Sequence, residues 1–271
     1  HEVLVVSPNR NYQWVPSNIW VGIGRMKAEQ LIFPLEPLYK RKGIGYKQAK
    51  VVSFHPEGNK TESKPFVSVE YVFGENKGLQ ENVTYDYLIN ATGPKLAFDM
   101  TEGLNPGTNK AYSVCTYDHA EHAWHGLKEL IDQLKTSDKK AKILIGTGHA
   151  KATCQGAAFE YILNVEKELV RHGVRDKVEV TWISNEKDLG DFGMDGMLME
   201  YNGFNMKSKD MIEMIFEDRG IKWILGAGVN KMEDGIAHYE NLEGEFKSEE
   251  FDFAMLIPAF SGHGFKAYDK N

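Results

Sequence analysis

The stretch Lys142-Ile143-Leu144-Ile145-Gly146-Thr147-Gly148-His149-Ala150-Lys151-Ala152-Thr153-Cys154-Gln155-Gly156 decides the fold. An apolar run of strand length, Lys142 to Ile145, meets a Gly-x-Gly turn, and a helical pattern over 155–171 follows. The alternation continues with a strand from Lys177 to Ser184, a helix over 207–218 and a strand from Ile221 to Leu225. Strand–helix–strand order of this kind predicts a parallel sheet covered by helices. Upstream, residues 118–136 predict an amphipathic helix, because Ala120, Ala123, Leu127, Leu130, Ile131 and Leu134 recur at helical spacing.

The flanking segments read differently. Glu2 to Ser7 is an apolar strand followed by a polar turn with Pro8 and Asn9. Residues 50–54 and the alternating run Phe66 to Phe73 predict antiparallel strands. A further strand is expected from Tyr85 to Asn90, ending in Ala91-Thr92-Gly93-Pro94. Short strands near 229–232 and 235–241 and a last one from Phe251 to Ile257 complete a meander and return. The fold class is therefore α/β, with two Rossmann-like dinucleotide-binding domains of the three-layer ββα type.

Composition narrows the function. A net charge of −7 gives no electrostatic footprint for nucleic acid, and 42% hydrophobic residues suffice for an ordinary core. No apolar run reaches the roughly 18 residues that span a bilayer, and no signal peptide is visible. The chain starts at His1 rather than methionine, so a processed, trimmed or incomplete start is expected. Asn59-Lys60-Thr61 and Asn82-Val83-Thr84 match the glycosylation pattern, and without a secretory signal they read as chance matches.

Only two cysteines occur, Cys115 and Cys154, which excludes a zinc ribbon or a disulfide-stapled scaffold. Cys154 is expected in the glycine-rich turn that opens a helix, where backbone N–H groups and the positive helix end favour a thiolate. Cys115 stands in Ser113-Val114-Cys115-Thr116-Tyr117-Asp118-His119-Ala120, and His119 lies close enough in sequence to assist proton transfer or to serve as a helix-start packing residue. His122 and His125 drift round the helix by about 60° per step and form no metal face. Glu160, six residues after Cys154, is a candidate proton acceptor or a plain surface glutamate.

Gly146 and Gly148 are candidate phosphate-cradling positions, but the third glycine of a G-x-G-x-x-G turn is replaced by Lys151. Glu186 falls beyond the usual strand end for a ribose partner, so nicotinamide dinucleotide is not expected here. A strand ending in Ala91-Thr92-Gly93 brings bare backbone close to a flavin nucleotide in many two-dinucleotide-domain flavoproteins or is an ordinary strand-to-loop turn, and Asn9 at the end of an early strand is either a partner for an adenosine ribose or a plain turn residue.

Together these residues resemble sulfide:quinone oxidoreductase, within the flavoprotein disulfide reductase group. The resemblance runs through Pro16-Ser17, Tyr85-Asp86-Tyr87-Leu88 with Ala91-Thr92-Gly93-Pro94-Lys95-Leu96, both cysteine motifs, Ile221-Lys222-Trp223-Ile224 and Leu256-Ile257-Pro258-Ala259-Phe260. The cysteine motifs are specific; the others are shared with flavocytochrome c sulfide dehydrogenase and type II NADH dehydrogenases. The resemblance implies FAD as cofactor, sulfide and quinone as substrates and peripheral attachment to a membrane, and it leaves an oligomer open. It implies that Cys154 is one bridge cysteine and Cys115 the additional cysteine near the flavin. It gives His119 and Glu160 proton-handling roles and Asn9, Pro16, Ala91, Thr92, Gly93, Gly146 and Gly148 cofactor contacts.

The departures are specific too. The family's first βα unit with its G-x-G-x-x-G and its third cysteine have no counterpart, so the resemblance implies a fragment with an incomplete FAD domain. Asp191 stands where the family often carries a histidine. The expected organisation is 1–110 as a partial FAD domain with an antiparallel insertion, 111–248 as the second Rossmann-like domain, and 249–271 as the return to the first. An NADH:quinone oxidoreductase and a redox-inactive binding scaffold remain the alternatives.

Overall fold

The computed structural model describes residues 2–201 and 203–270, grouped into two compact units. Residues 14–31 and 96–261 form the larger one. Its sheet contains β1 (Ala111–Tyr112), β2 (Ala141–Thr147), β3 (Val178–Ile183), β4 (Ile221–Ile224) and β5 (Phe253–Ile257). The order is β4-β3-β2-β5-β1, and every pairing is parallel. The three longest helices among the described residues accompany it: α1 (Tyr117–Lys135), α2 (Gln155–Arg171) and α3 (Ser208–Asp218).

The sequence dictates this arrangement through burial. A parallel sheet covered on both faces needs continuously apolar strands, and all five residues of β5, Phe-Ala-Met-Leu-Ile, are buried. α1 buries Ala120, Ala123, Leu127, Ile131 and Leu134 along one stripe. Each large apolar side chain so buried contributes about 1.5–3 kcal/mol relative to exposure. Trp182 of β3 lies in an aromatic cluster with Phe159 of α2 and Phe216 of α3, at ring separations of 6.5 and 6.2 Å.

The smaller unit comprises 1–13, 32–95 and 262–271. Its long strand Gly45–His55 pairs parallel with Leu4–Ser7 and antiparallel with Phe66–Tyr71. Phe66–Tyr71 in turn pairs antiparallel with Gln80–Thr84. Ala49, Val67 and Val69 form its small core.

Several expectations are corrected. The strand expected at Tyr85–Asn90 lies instead at Gln80–Thr84. Residues 85–90 lie outside any strand, with a bend at Asp86–Tyr87 and with Tyr87 91% and Ile89 88% exposed, because no strand among the described residues completes a ladder there. The strand Phe253–Ile257 lies inside the larger sheet, and the chain joins the smaller unit at Gly262 rather than at 249. The hairpin Leu198–Tyr201 with Phe204–Lys207 and the strand Phe246–Glu250 were not foreseen. The turn after β2 does not open α2 directly: residues 148–154 intervene, and the helix starts at Gln155.

Candidate functional site

Open parallel sheets bind ligands beyond the carboxyl ends of their strands, where the strand order reverses. Here β2 is that reversal point, flanked by β3 on one side and β5 on the other. Chain direction therefore brings several segments to one edge. Cys115 follows β1, the 148–154 loop with Cys154 follows β2, Ser184 and Asn185 follow β3, and Ala259 follows β5.

Cys154 is the N-cap of α2, as expected, but in the left-handed conformation with φ +71°. An L-residue there carries strain of about 1–3 kcal/mol and persists only where its surroundings over-determine it. The thiol is exposed and makes no side-chain cap. Beside it, a Cβ on Gly156 would meet open space.

The loop is fixed from several sides. Gly148 N–H donates to the Ile257 carbonyl at 2.7 Å, and the Thr101 hydroxyl donates to the Gly148 carbonyl at 2.6 Å. The Asn185 amide donates to the carbonyls of Ala150 and Ala152, both at 2.9 Å. Ala152 forms a bridge with Ala259 beyond β5.

Cys115 is half-buried, and its backbone N–H donates to Ser113 Oγ at 3.1 Å. Burial pushes its thiol from an ordinary 9.0 up to about 11; a hydrogen bond with Ser113 opposes the rise, and the neighbouring Cys154 adds to it. His119 sits in the first turn of α1, where its N–H donates to the N-cap Thr116 hydroxyl at 3.4 Å. Its ring packs edge-on against Phe98 at 5.6 Å, and Nδ1 is buried without a partner. Burial lowers its pKa, so the neutral ring is favoured.

Other expected residues fare differently. Glu160 is exposed on the second turn of α2, and its backbone carbonyl accepts from Asn164. Gly146 and Gly148 are enclosed by protein. A Cβ on Gly146 would lie 1.7 Å from the Ile183 carbonyl oxygen, and one on Gly148 would lie 2.6 Å from Leu104 Cδ2. Both glycines thus permit close strand and loop packing and present no open cradle to a phosphate. Glu186 is buried, with Oε2 accepting from Ser184 Oγ at 2.8 Å and Oε1 from the Phe192 N–H at 2.5 Å. It holds the following loop and is not offered to a ribose. Asp191 caps the same loop through the N–H groups of Met194 and Asp195.

In the smaller unit, Ala91, Thr92 and Gly93 are exposed, and Gly93 adopts φ +68° with open space where a Cβ would be. Asn9 and Pro16, one in each unit, are exposed as well. Sequence reading missed Asn185. Its available signal was a short polar side chain immediately past the carboxyl end of a parallel strand beside the reversal point.

No protein-family model matches the chain. The chain is 29% identical over 96% of its length to the sulfide-quinone reductase of Aquifex aeolicus, covering 53% of that protein. It is 24% identical over 97% of its length to the mitochondrial sulfide:quinone oxidoreductase of Dictyostelium discoideum, covering 51%. The chain thus spans about half the length of the relatives it matches. The Aquifex aeolicus sulfide:quinone oxidoreductase structure superposes with a TM-score of 0.79 over 97% of this chain and 53% of that one. NDH2 from Plasmodium falciparum superposes at 0.67 with 14% identity, covering 98% of this chain and 51% of that one, a likeness of fold alone. Over nearly all its length this chain is similar, in sequence and in fold, to sulfide:quinone oxidoreductases.

Proposed function

We propose that this chain is part of an FAD-dependent oxidoreductase that oxidises sulfide at Cys154 and passes the electrons to a quinone. The observation that carries the reading is the pair of cysteines that follow strands at the carboxyl edge of one parallel sheet, in a chain with these relatives. Cys154 is one end of a sulfur bridge. Hydrosulfide attacks a bridge sulfur, the S–S bond breaks, one cysteine leaves as thiolate and the incoming sulfur remains as a persulfide. Cys154 is exposed and so reachable by a small anion. Cys115, held as a neutral thiol by burial, is the auxiliary cysteine. His119, kept neutral with a free ring nitrogen, is suited to take up a proton from the reacting thiol. Glu160, exposed on α2, is the proposed supporting proton acceptor.

In the smaller unit Ala91, Thr92, Gly93 and Asn9 would hold FAD, and their exposure and the open side of Gly93 fit a closely approaching cofactor. Bound FAD supplies a two-electron acceptor for the sulfur chemistry. The packing role of Gly146 and Gly148 removes them from that set. Among the described residues no helix is long and apolar enough to cross a membrane, so attachment at the membrane surface is part of the proposal.

The NADH:quinone alternative is disfavoured by Glu186, which is buried and engaged where a ribose partner is needed, and by the exposed Lys151 at the third-glycine position. The test is the flavin absorption band of the full-length protein. Bleaching by sulfide and not by NADH supports the proposal; bleaching by NADH alone overturns it.

A further inference from the structure

We propose that Asn185 is the positioning residue for the Cys154 thiol, an inference that rests on the sulfide-oxidising reading above. Asn185 has no direct part in sulfur chemistry, yet its side chain is fully committed to the loop that carries the thiol. Its Nδ2 group uses both protons, one on the Ala150 carbonyl and one on the Ala152 carbonyl, each at 2.9 Å. Its Oδ1 accepts from Gln155 Nε2 at 3.3 Å. Its backbone N–H donates to Thr147 Oγ1 at 2.9 Å, tying it to the end of β2.

One side chain thus grips the loop before Cys154, at Ala150 and Ala152, and after it, at Gln155. Gln155 is buried, so the grip extends into the start of α2. Cys154 sits between these points at φ +71°. A non-glycine residue remains there only if the neighbouring backbone is held on both sides. The two carbonyls need a double donor, which an amide provides and a carboxylate does not. The geometry therefore specifies asparagine.

Two variants of the full-length protein test this. Asn185→Asp keeps the shape and removes both donors, while Asn185→Ala removes the side chain. Hydrogen exchange read by mass spectrometry should accelerate at least 10-fold in peptides spanning 149–154 in both variants, with β3 and β5 unchanged. Sulfide-dependent turnover should fall at least 10-fold, with the KM for quinone unchanged. If Asn185→Asp exchanges and turns over like the parent, the amide donors are unnecessary and the proposal is overturned. Faster exchange with unaltered turnover overturns it as well, since the thiol would then not need fixing. Should Asn185→Ala not fold, the isosteric Asn185→Asp alone decides. Cys154→Ser, measured alongside, separates the two ideas. If that variant retains turnover, the sulfide reading has failed, whereas the exchange data still report on the loop.

Discussion

Alkylation of the folded 271-residue chain, in which both cysteines are free, with iodoacetamide at pH 8 should modify Cys154 and spare Cys115. Cys154 is exposed at the N-cap of α2, with open space over Gly156. Cys115 is half-buried, and burial moves its thiol from 9.0 to about 11. Since only the thiolate reacts, two pH units mean about 100-fold less reactive form than an unperturbed thiol of the same type. At pH 8 about one Cys115 in a thousand is ionised. Timed labelling followed by peptide mass spectrometry should show the exposed Cys154 modified well before Cys115. In denaturant the two rates should converge. Raising the pH from 8 to 10 should speed Cys115 labelling by about 100-fold, because ionisation is still far from complete. The same shift links to stability. The folded state holds the Cys115 proton more tightly than the unfolded one, so the contribution is complete below pH 9 and is lost as pH rises towards 11. Its upper bound is about 2.7 kcal/mol, from two units at 1.36 kcal/mol each. Native labelling of Cys115 within a few-fold of Cys154 at pH 8 would refute the reasoning.

His119 has a lowered pKa from burial, so the unfolded state binds its proton more readily. Stability should decline as pH falls below the ordinary histidine value of about 6.5, and histidine NMR should show His119 titrating below that value; a normal titration contradicts this. Gly146→Ala should destabilise by about 3 kcal/mol or more, since its Cβ would fall 1.7 Å from the rigid Ile183 carbonyl oxygen; a thermal melt within a degree of the parent would show that the close approach is absent. The 271-residue chain alone should purify with well under one FAD per protein, because its Gly146-Thr147-Gly148 turn is closed by packing against Ile183 and Leu104. Stoichiometric FAD by absorbance would count against that account.

The parallel unit was legible because its strands are buried on both faces and its helices carry clean apolar stripes. Ala120 through Leu134 in α1 announce a helix without any tertiary information. The helix 155–171 appears with the expected limits because Cys154 breaks the backbone direction immediately before it. The smaller unit was less legible. Gln80 to Thr84 holds one aliphatic residue, Val83, and becomes a strand through its ladder with Phe66–Tyr71 and the Lys47–Glu81 ion pair at 2.8 Å. Tyr85 to Asn90 has a strand's composition, but composition supplies no pairing partner. At the site, the two cysteines were visible as rare residues in distinctive surroundings. The packing role of Gly146 and Gly148 and the grip of Asn185 depend on contacts between segments far apart in sequence, whereas the inward turn of Glu186 rests on the near neighbours Ser184 and Phe192.

The central claim is that Cys154 is the sulfur-bearing residue of a sulfide-oxidising site. The direct measurement is sulfide-dependent quinone reduction by the full-length protein and its Cys154→Ser and Cys115→Ser variants, with bound flavin quantified in each. Cys154→Ser should abolish turnover while flavin remains bound, and Cys115→Ser should reduce it less. A Cys154→Ser protein that keeps most of the parent's activity would contradict the account and return this cysteine to an ordinary loop residue.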